Sequence, residues 1–190
     1  MDPVSQGAFG AIFAQTISNK KKILVGSIIG CLAGLAPDLD ILIRSNSDPL
    51  LKLEYHRQFT HSLIFIPLGA LIVTLLLRFF TRKYLSWKET YFYCFIGYAT
   101  HGFIDACTSY GTQLLWPFSD ERISWNNISV VDPLFTIPVL VLVVTAMITR
   151  KRLFSFFAIG WITFYLSLGF VQYERALSAA IELANSRGHN

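Results

Sequence analysis

The chain has 190 residues and a net charge of +4; 53% of its residues are hydrophobic and 15% are charged, against about 25% charged in soluble domains. The apolar residues gather in long blocks separated by short basic or polar clusters, which predicts an all-α polytopic membrane bundle of about six helices. Such patterning excludes a soluble enzyme, a disordered chain and a nucleic-acid binder, and the basic surplus reads as loop anchoring at a membrane surface.

In chain order, the first block runs from Pro3 to Ser18 and is short. Its Gly7, Ala8, Gly10, Ala11 and Ala14 predict a membrane helix packed through small residues, with an in-plane or re-entrant segment as the competing reading. Five longer blocks follow, at Ile23–Ile43, Ser62–Phe80, Thr90–Thr108, Pro133–Thr149 and Leu153–Gln172, each near the roughly 20 residues that a bilayer crossing requires. The whole chain, 1–190, reads as a single membrane domain. Lys20 to Lys22, Arg78, Arg82, Lys83, Lys88 and Arg150 to Arg152 fall on one side if six helices alternate. Arg44, Lys52, Arg57, Arg122, Arg175 and Arg187 are spread thinly over the other. The positive-inside rule then places both termini and the loops Arg44–His61 and Ser109–Asp132 outside. A turn-rich stretch is expected from Ser45 to Pro49. Trp87, Tyr91, Phe92 and Tyr93 read as an interfacial belt on the inner side. Cys31, Cys94 and Cys107 form no CxxC pair and read as small buried hydrophobes. His189 reads as solvated in a polar tail.

Ionisable groups in or beside membrane helices are costly, and so they mark function. Here they are Asp38, Asp40, His56, Arg57, His61, His101, Asp105 and Asp132, all at outer helix ends or in outer loops. His101 and Asp105, spaced i and i+4, share a helix face about 5–6 Å apart at Cβ, a gap that one metal ion or one hydrogen bond can bridge. Asp38 and Asp40 sit at a helix C-terminus, where the macrodipole disfavours negative charge and a cation would offset it. These residues define metal-site segments at 37–62 and 101–132. Asp38, Asp40, His61, His101 and Asp105 are the expected ligands, with His56 as a sixth ligand or an acid–base group. Asp132, just before Pro133, reads as a helix N-cap in preference to a group that orients a ligand. Histidine and carboxylate ligands without cysteine suit zinc first, then manganese or iron, as one ion or two.

Several motifs carry a family resemblance: Pro37-Asp38-Leu39-Asp40, His56-Arg57-Gln58-Phe59-Thr60-His61-Ser62, the His101/Asp105 pair, Thr108-Ser109-Tyr110-Gly111-Thr112, Trp116-Pro117-Phe118-Ser119, Arg122 and Asp132-Pro133-Leu134. From about Asp2 to Phe135 the chain resembles the YdjM-like family of LexA-regulated, inner-membrane metal-dependent hydrolases. The resemblance implies a multi-pass inner-membrane enzyme with a divalent metal. One departure is Gln6, where members of that family commonly carry a histidine. The order of His and Asp ligands is also similar, more distantly, to that of zinc-dependent phospholipases C, which points to phosphoester hydrolysis on lipids.

The expected function is therefore metal-dependent hydrolysis of a lipid or polyprenyl-type phosphoester by activated water at the extracytoplasmic face. His56 would move the proton, and Arg57 and Arg122 would stabilise phosphate charge. The competing class is a metal or proton transporter without hydrolytic chemistry.

Overall fold

The computed structural model describes residues 1–43, 47–48, 51 and 55–188. Arg44, Lys52, His189 and most of the Ser45–Pro49 turn lie outside the described residues. Among those described, the chain forms six α-helices and no β-strand beyond one isolated bridge between Thr112 and Ile123. The helices are α1 (Pro3–Ile17), α2 (Ile23–Leu35), α3 (Ile66–Thr81), α4 (Trp87–Ala106), α5 (Pro133–Thr149) and α6 (Leu153–Ser186). Three stretches are long and apolar enough to cross a membrane: Ile23–Leu42, Leu63–Thr81 and Leu153–Ser186, with Pro133–Thr149 a shorter apolar helix.

α1 is the centre of the bundle although only α2 is shorter among the six helices. Its N-terminus is set by Asp2, whose carboxylate accepts the Ser5 N–H at 3.0 Å, and by Pro3 in the first turn. It lies against α2 through glycines: a β-carbon on Gly34 would come within 2.9 Å of the Gln6 carbonyl, and Gly10 and Gly30 face each other backbone to backbone. Such contact replaces the hydrophobic driving force that lipid removes. α4 closes on the same seam, its Gly97 meeting Gly30. α5 and α6 pack on the far side of α1, burying Phe135, Val139 and Ile162 with Phe9 and Ile12.

At the basic end, Gln15 ties four helices together inside apolar surroundings. Its amide nitrogen donates to Ser27 Oγ (3.0 Å) and to the Val143 carbonyl (3.1 Å), and its oxygen accepts from Ser155 Oγ (2.8 Å). The apolar pattern does not say which partners Gln15 takes.

Several expected boundaries move. Pro37 ends α2 at Leu35, and the chain continues as a 3-10 segment, Ala36–Leu42. α4 begins at Trp87, three residues early, because Ser86 and Glu89 form a reciprocal capping box. α6 runs 34 residues to Ser186 rather than stopping at Gln172. Tyr93 is buried against Gly26 of α2 and so belongs to the core, while Trp87 and Phe92 are exposed. The three cysteines are unpaired, with Cys94 and Cys107 buried.

Candidate metal centre

Four chain segments meet at one end of the bundle. The 3-10 turn after Pro37 carries Asp38 and Asp40; the short 3-10 turn Phe59–His61 carries His61; the last turns of α4 carry His101 and Asp105; the first turn of α1 carries Gln6. Gly102 permits the approach, since a β-carbon there would lie 2.6 Å from the His61 carbonyl. The loop after α4 is tied to the same place by backbone bonds from Gln113 to Arg57 and from Leu63 to Leu114.

Asp38 Oδ1, His61 Nε2, His101 Nε2 and Asp105 Oδ2 form one group. The two imidazole nitrogens are 2.9 Å apart, Asp38 Oδ1 lies 3.4 and 3.3 Å from them, and Asp105 Oδ2 lies 3.4 Å from each. Ligands about 2.0–2.2 Å from a tetrahedral ion are about 3.3–3.6 Å from one another, and four of these five spacings fall on or beside that range.

The hydrogen bonds behind the ligand atoms point the same way. His101 Nδ1 is 2.5 Å from the Gly34 carbonyl and must donate to it, which leaves Nε2 with its lone pair in the neutral ring. His61 Nδ1 is held by Thr60 Oγ1 (2.9 Å) and faces Asp40 Oδ2 (3.4 Å), so its Nε2 is likewise turned inward. Two such lone pairs cannot face each other at 2.9 Å without a proton or a cation between them. Asp38 Oδ1 and Asp105 Oδ2 are buried and accept no hydrogen bond, a costly state for carboxylate oxygens that a bound cation would relieve. The residues therefore fit a divalent metal. Burial alone would lower the His61 imidazole, but the carboxylates of Asp105, Asp38 and Asp40 outweigh it and raise the group to about 10. The cluster thus draws positive charge, and the Met1 amino group also lies against Asp105.

Asp40 makes hydrogen bonds that the other expected ligands do not. Its Oδ1 is 2.8 Å from His56 Nδ1, and its Oδ2 accepts from the Arg57 backbone N–H (3.1 Å) and from Thr60 Oγ1 (2.8 Å). Both oxygens are already engaged, although one ligand atom each from Asp38, Asp40 and His56 lies within 4.8 Å of the other two, so these three residues form a second group that could hold an ion. The arrangement makes Asp40 the residue that orients His56 and His61. Tyr98 steadies the assembly by donating to the Thr60 carbonyl at 2.8 Å.

Arg57 is 5% exposed and sits in the left-handed region at φ +62°, a conformation costing on the order of 1–3 kcal/mol that persists only where its surroundings enforce it. Its Nε lies 3.2 Å from Asp105 Oδ2, and its Nη1 donates to Thr108 Oγ1 at 3.2 Å. Its guanidinium stacks on Tyr110 at 4.7 Å. Arg122 reaches only the rim, donating to the His56 carbonyl at 3.1 Å with its guanidinium 5.5 Å from the same ring. Asp132 is away from the cluster and caps α5 through the Phe135 N–H, while accepting from Tyr165. Gln6 is fully buried inside the cluster, its Nε2 3.2 Å from His101 Nε2 and 3.1 Å from Asp105 Oδ1, its Oε1 without a partner. The side-chain exposures of Asp38 (29%) and His56 (23%) locate the mouth.

Fold and site together define a helical membrane protein whose helix ends converge on a buried His–Asp cluster able to hold a metal. The family model described as "YdjM inner membrane protein" matches residues 1–176, and the chain belongs to that family, as its motifs led one to expect. Over 107 residues it is 31% identical to the inner membrane protein YbcI of Escherichia coli (strain K12), a match covering 53% of this chain and 60% of that protein. Over 107 residues it is 28% identical to the uncharacterized protein YfhP of Bacillus subtilis (strain 168), covering 56% of this chain and 32% of that protein. The matched region thus spans less than two thirds of either relative. No solved structure matches the chain.

Proposed function

We propose that the chain is a multi-pass metal-dependent hydrolase of the inner membrane, cleaving a lipid or polyprenyl-type phosphoester at the extracytoplasmic face. The observation that carries this reading is the inward convergence of four ligand atoms, two of them buried carboxylate oxygens that accept no hydrogen bond, one of these ion-paired with Arg57. Asp38, His61, His101 and Asp105 would hold the ion, zinc first by ligand type with manganese or iron as alternatives. A metal in this place supplies Lewis acidity, lowering the pKa of water and polarising a phosphoryl oxygen.

The chain's own groups complete the machinery. With Nδ1 engaged by Asp40, His56 exchanges a proton through Nε2, taking it from the attacking water and returning it to the leaving oxygen. Arg57 counters charge that develops on the phosphoryl group, and its stack on Tyr110 keeps the guanidinium from swinging away. Arg122 holds the His56 backbone and lends positive potential at the rim. The extracytoplasmic placement rests on the lysines and arginines that flank the opposite ends of the helices. Transport is disfavoured because the cluster lies at one end of the bundle, and the buried α1 residues between Gln6 and Gln15, among them Phe9, Ala11 and Ile12, carry no polar side chain.

The test is phosphate release from phosphatidic acid or a polyprenyl phosphate by purified protein in detergent, with zinc or manganese added. Release that needs the metal and disappears in His56→Gln supports the reading. Ion flux into proteoliposomes without lipid turnover would replace it with transport.

A further inference from the structure

A second feature of the cluster end is a groove between the 3-10 segment Ala36–Leu42 and the outward side of α3, with a volume of about 250 Å³. One end is polar and belongs to the site: Asp40 and Thr60, both part of the network that holds His56 and His61. The rest is apolar. Small residues, Ala36 and Gly69, leave the space open, and a β-carbon on Gly69 would run into the Tyr98 ring that forms the floor. Leu39, Ile72 and Leu76 form the rim and are 60%, 45% and 66% exposed, so the groove opens sideways toward lipid.

Its length is informative. From Ile66, at the cluster end of α3, to Leu76 is about 15 Å at a rise of about 1.5 Å per residue, half of a hydrocarbon core of about 30 Å. An apolar slot one leaflet deep, polar only at the headgroup level, matches a lipid in the outer leaflet. Leu39 lies between Asp38 and Asp40, so slot and mouth share one short turn. By contrast, a cavity of about 500 Å³ between α1, α2 and α5 borders none of the cluster side chains.

We propose that this groove receives one apolar chain of a phosphate-bearing lipid that enters from the outer leaflet, placing its headgroup over the mouth formed by Asp38 and His56. The inference rests on the hydrolase reading for the phosphate headgroup and its fate, and on the groove for where the chain lies. One chain, not two, fits the volume; the second chain of a two-chain lipid stays in the bilayer. Burying a chain in the groove gives the enzyme grip on the substrate away from the reacting phosphate, and makes selectivity depend on chain length up to the depth of Leu76.

The experiment is photolabelling of the full-length chain in phosphatidylcholine nanodiscs, using phosphatidic acid with a diazirine midway along one acyl chain. Label should concentrate several-fold at residues 39–43 and 72–76 over Ile137 and Val141, which are comparably exposed in the same half of the bundle. Excess unlabelled phosphatidic acid should compete for it. Ala36→Phe and Ile72→Trp, which fill the groove from opposite walls, should each reduce it several-fold while leaving bound metal unchanged. Label spread evenly over lipid-facing residues, or indifferent to both variants, would overturn the proposal. Labelling requires no turnover, so the two readings fail separately. Focused label without phosphate release would remove the hydrolase and leave the groove, and release with even label would do the reverse.

Discussion

Replacing Asp40 by Asn separates orientation from ligation. In the parent, Asp40 Oδ2 accepts from Arg57 N–H and Thr60 Oγ1 while Oδ1 faces His56 Nδ1 at 2.8 Å. An asparagine must keep its one oxygen on the two donors, because the Arg57 amide cannot reverse its role. Its NH₂ then faces His56 Nδ1, which must become the acceptor and send its proton to Nε2. The wrong tautomer is thereby fixed on the proposed proton carrier; a comparable aspartate-to-asparagine change behind a catalytic histidine costs about 10⁴ in turnover. The metal should suffer far less. Loss of a group behind the ligands weakens metal binding about 10–100-fold, or about 1.4–2.8 kcal/mol. Asp40→Asn should therefore bind metal at raised concentration but turn over poorly even when saturated, whereas Asp105→Asn should lose the metal itself. Titration calorimetry with zinc, followed by phosphate release at saturating metal, measures both. The reasoning is refuted if Asp40→Asn loses metal as completely as Asp105→Asn, or if it turns over normally.

Gln6→His should increase metal retained per chain, because an imidazole replaces an amide whose oxygen has no partner beside His101 and Asp105; equal retention at saturating metal counts against a role for this position in the site. Gln15→Leu removes three interhelical hydrogen bonds at the opposite end. At about 0.6 kcal/mol each it should destabilise the bundle by roughly 2 kcal/mol in detergent unfolding, with metal affinity unchanged; a change in affinity would mean that the two ends are coupled.

Much of this arrangement could be read from composition and spacing. Hydropathy located the helices, and the i, i+4 relation of His101 and Asp105 put both on one face of α4. The expectation that helix ends bring Asp38 and His61 to the same face follows from counting crossings. The distinct position of Asp40 could not be read that way. Residues two apart on a 3-10 turn point in different directions, and which one meets the other ligands depends on the loop that brings Thr60 and the strained Arg57 backbone to Asp40. The end of α6 was hidden for another reason. The expected span ends at the polar run from Gln172 to Arg175, and Ala176 to Ala184, largely exposed, continue the helix through the propensity of Ala, Leu and Glu. Gln15 and Tyr98 carried a weaker signal: each is a polar group in an apolar block that required a partner, and the sequence does not say which partner.

The central claim is that four side chains close on a metal ion. The direct measurement is elemental analysis of the full-length chain, loaded with zinc or manganese, desalted and compared with His101→Ala and Asp105→Asn variants that still elute as folded protein. The account predicts one tightly held ion per chain in the parent and its loss in both variants. A parent without bound metal, or variants that retain as much as the parent, would contradict it.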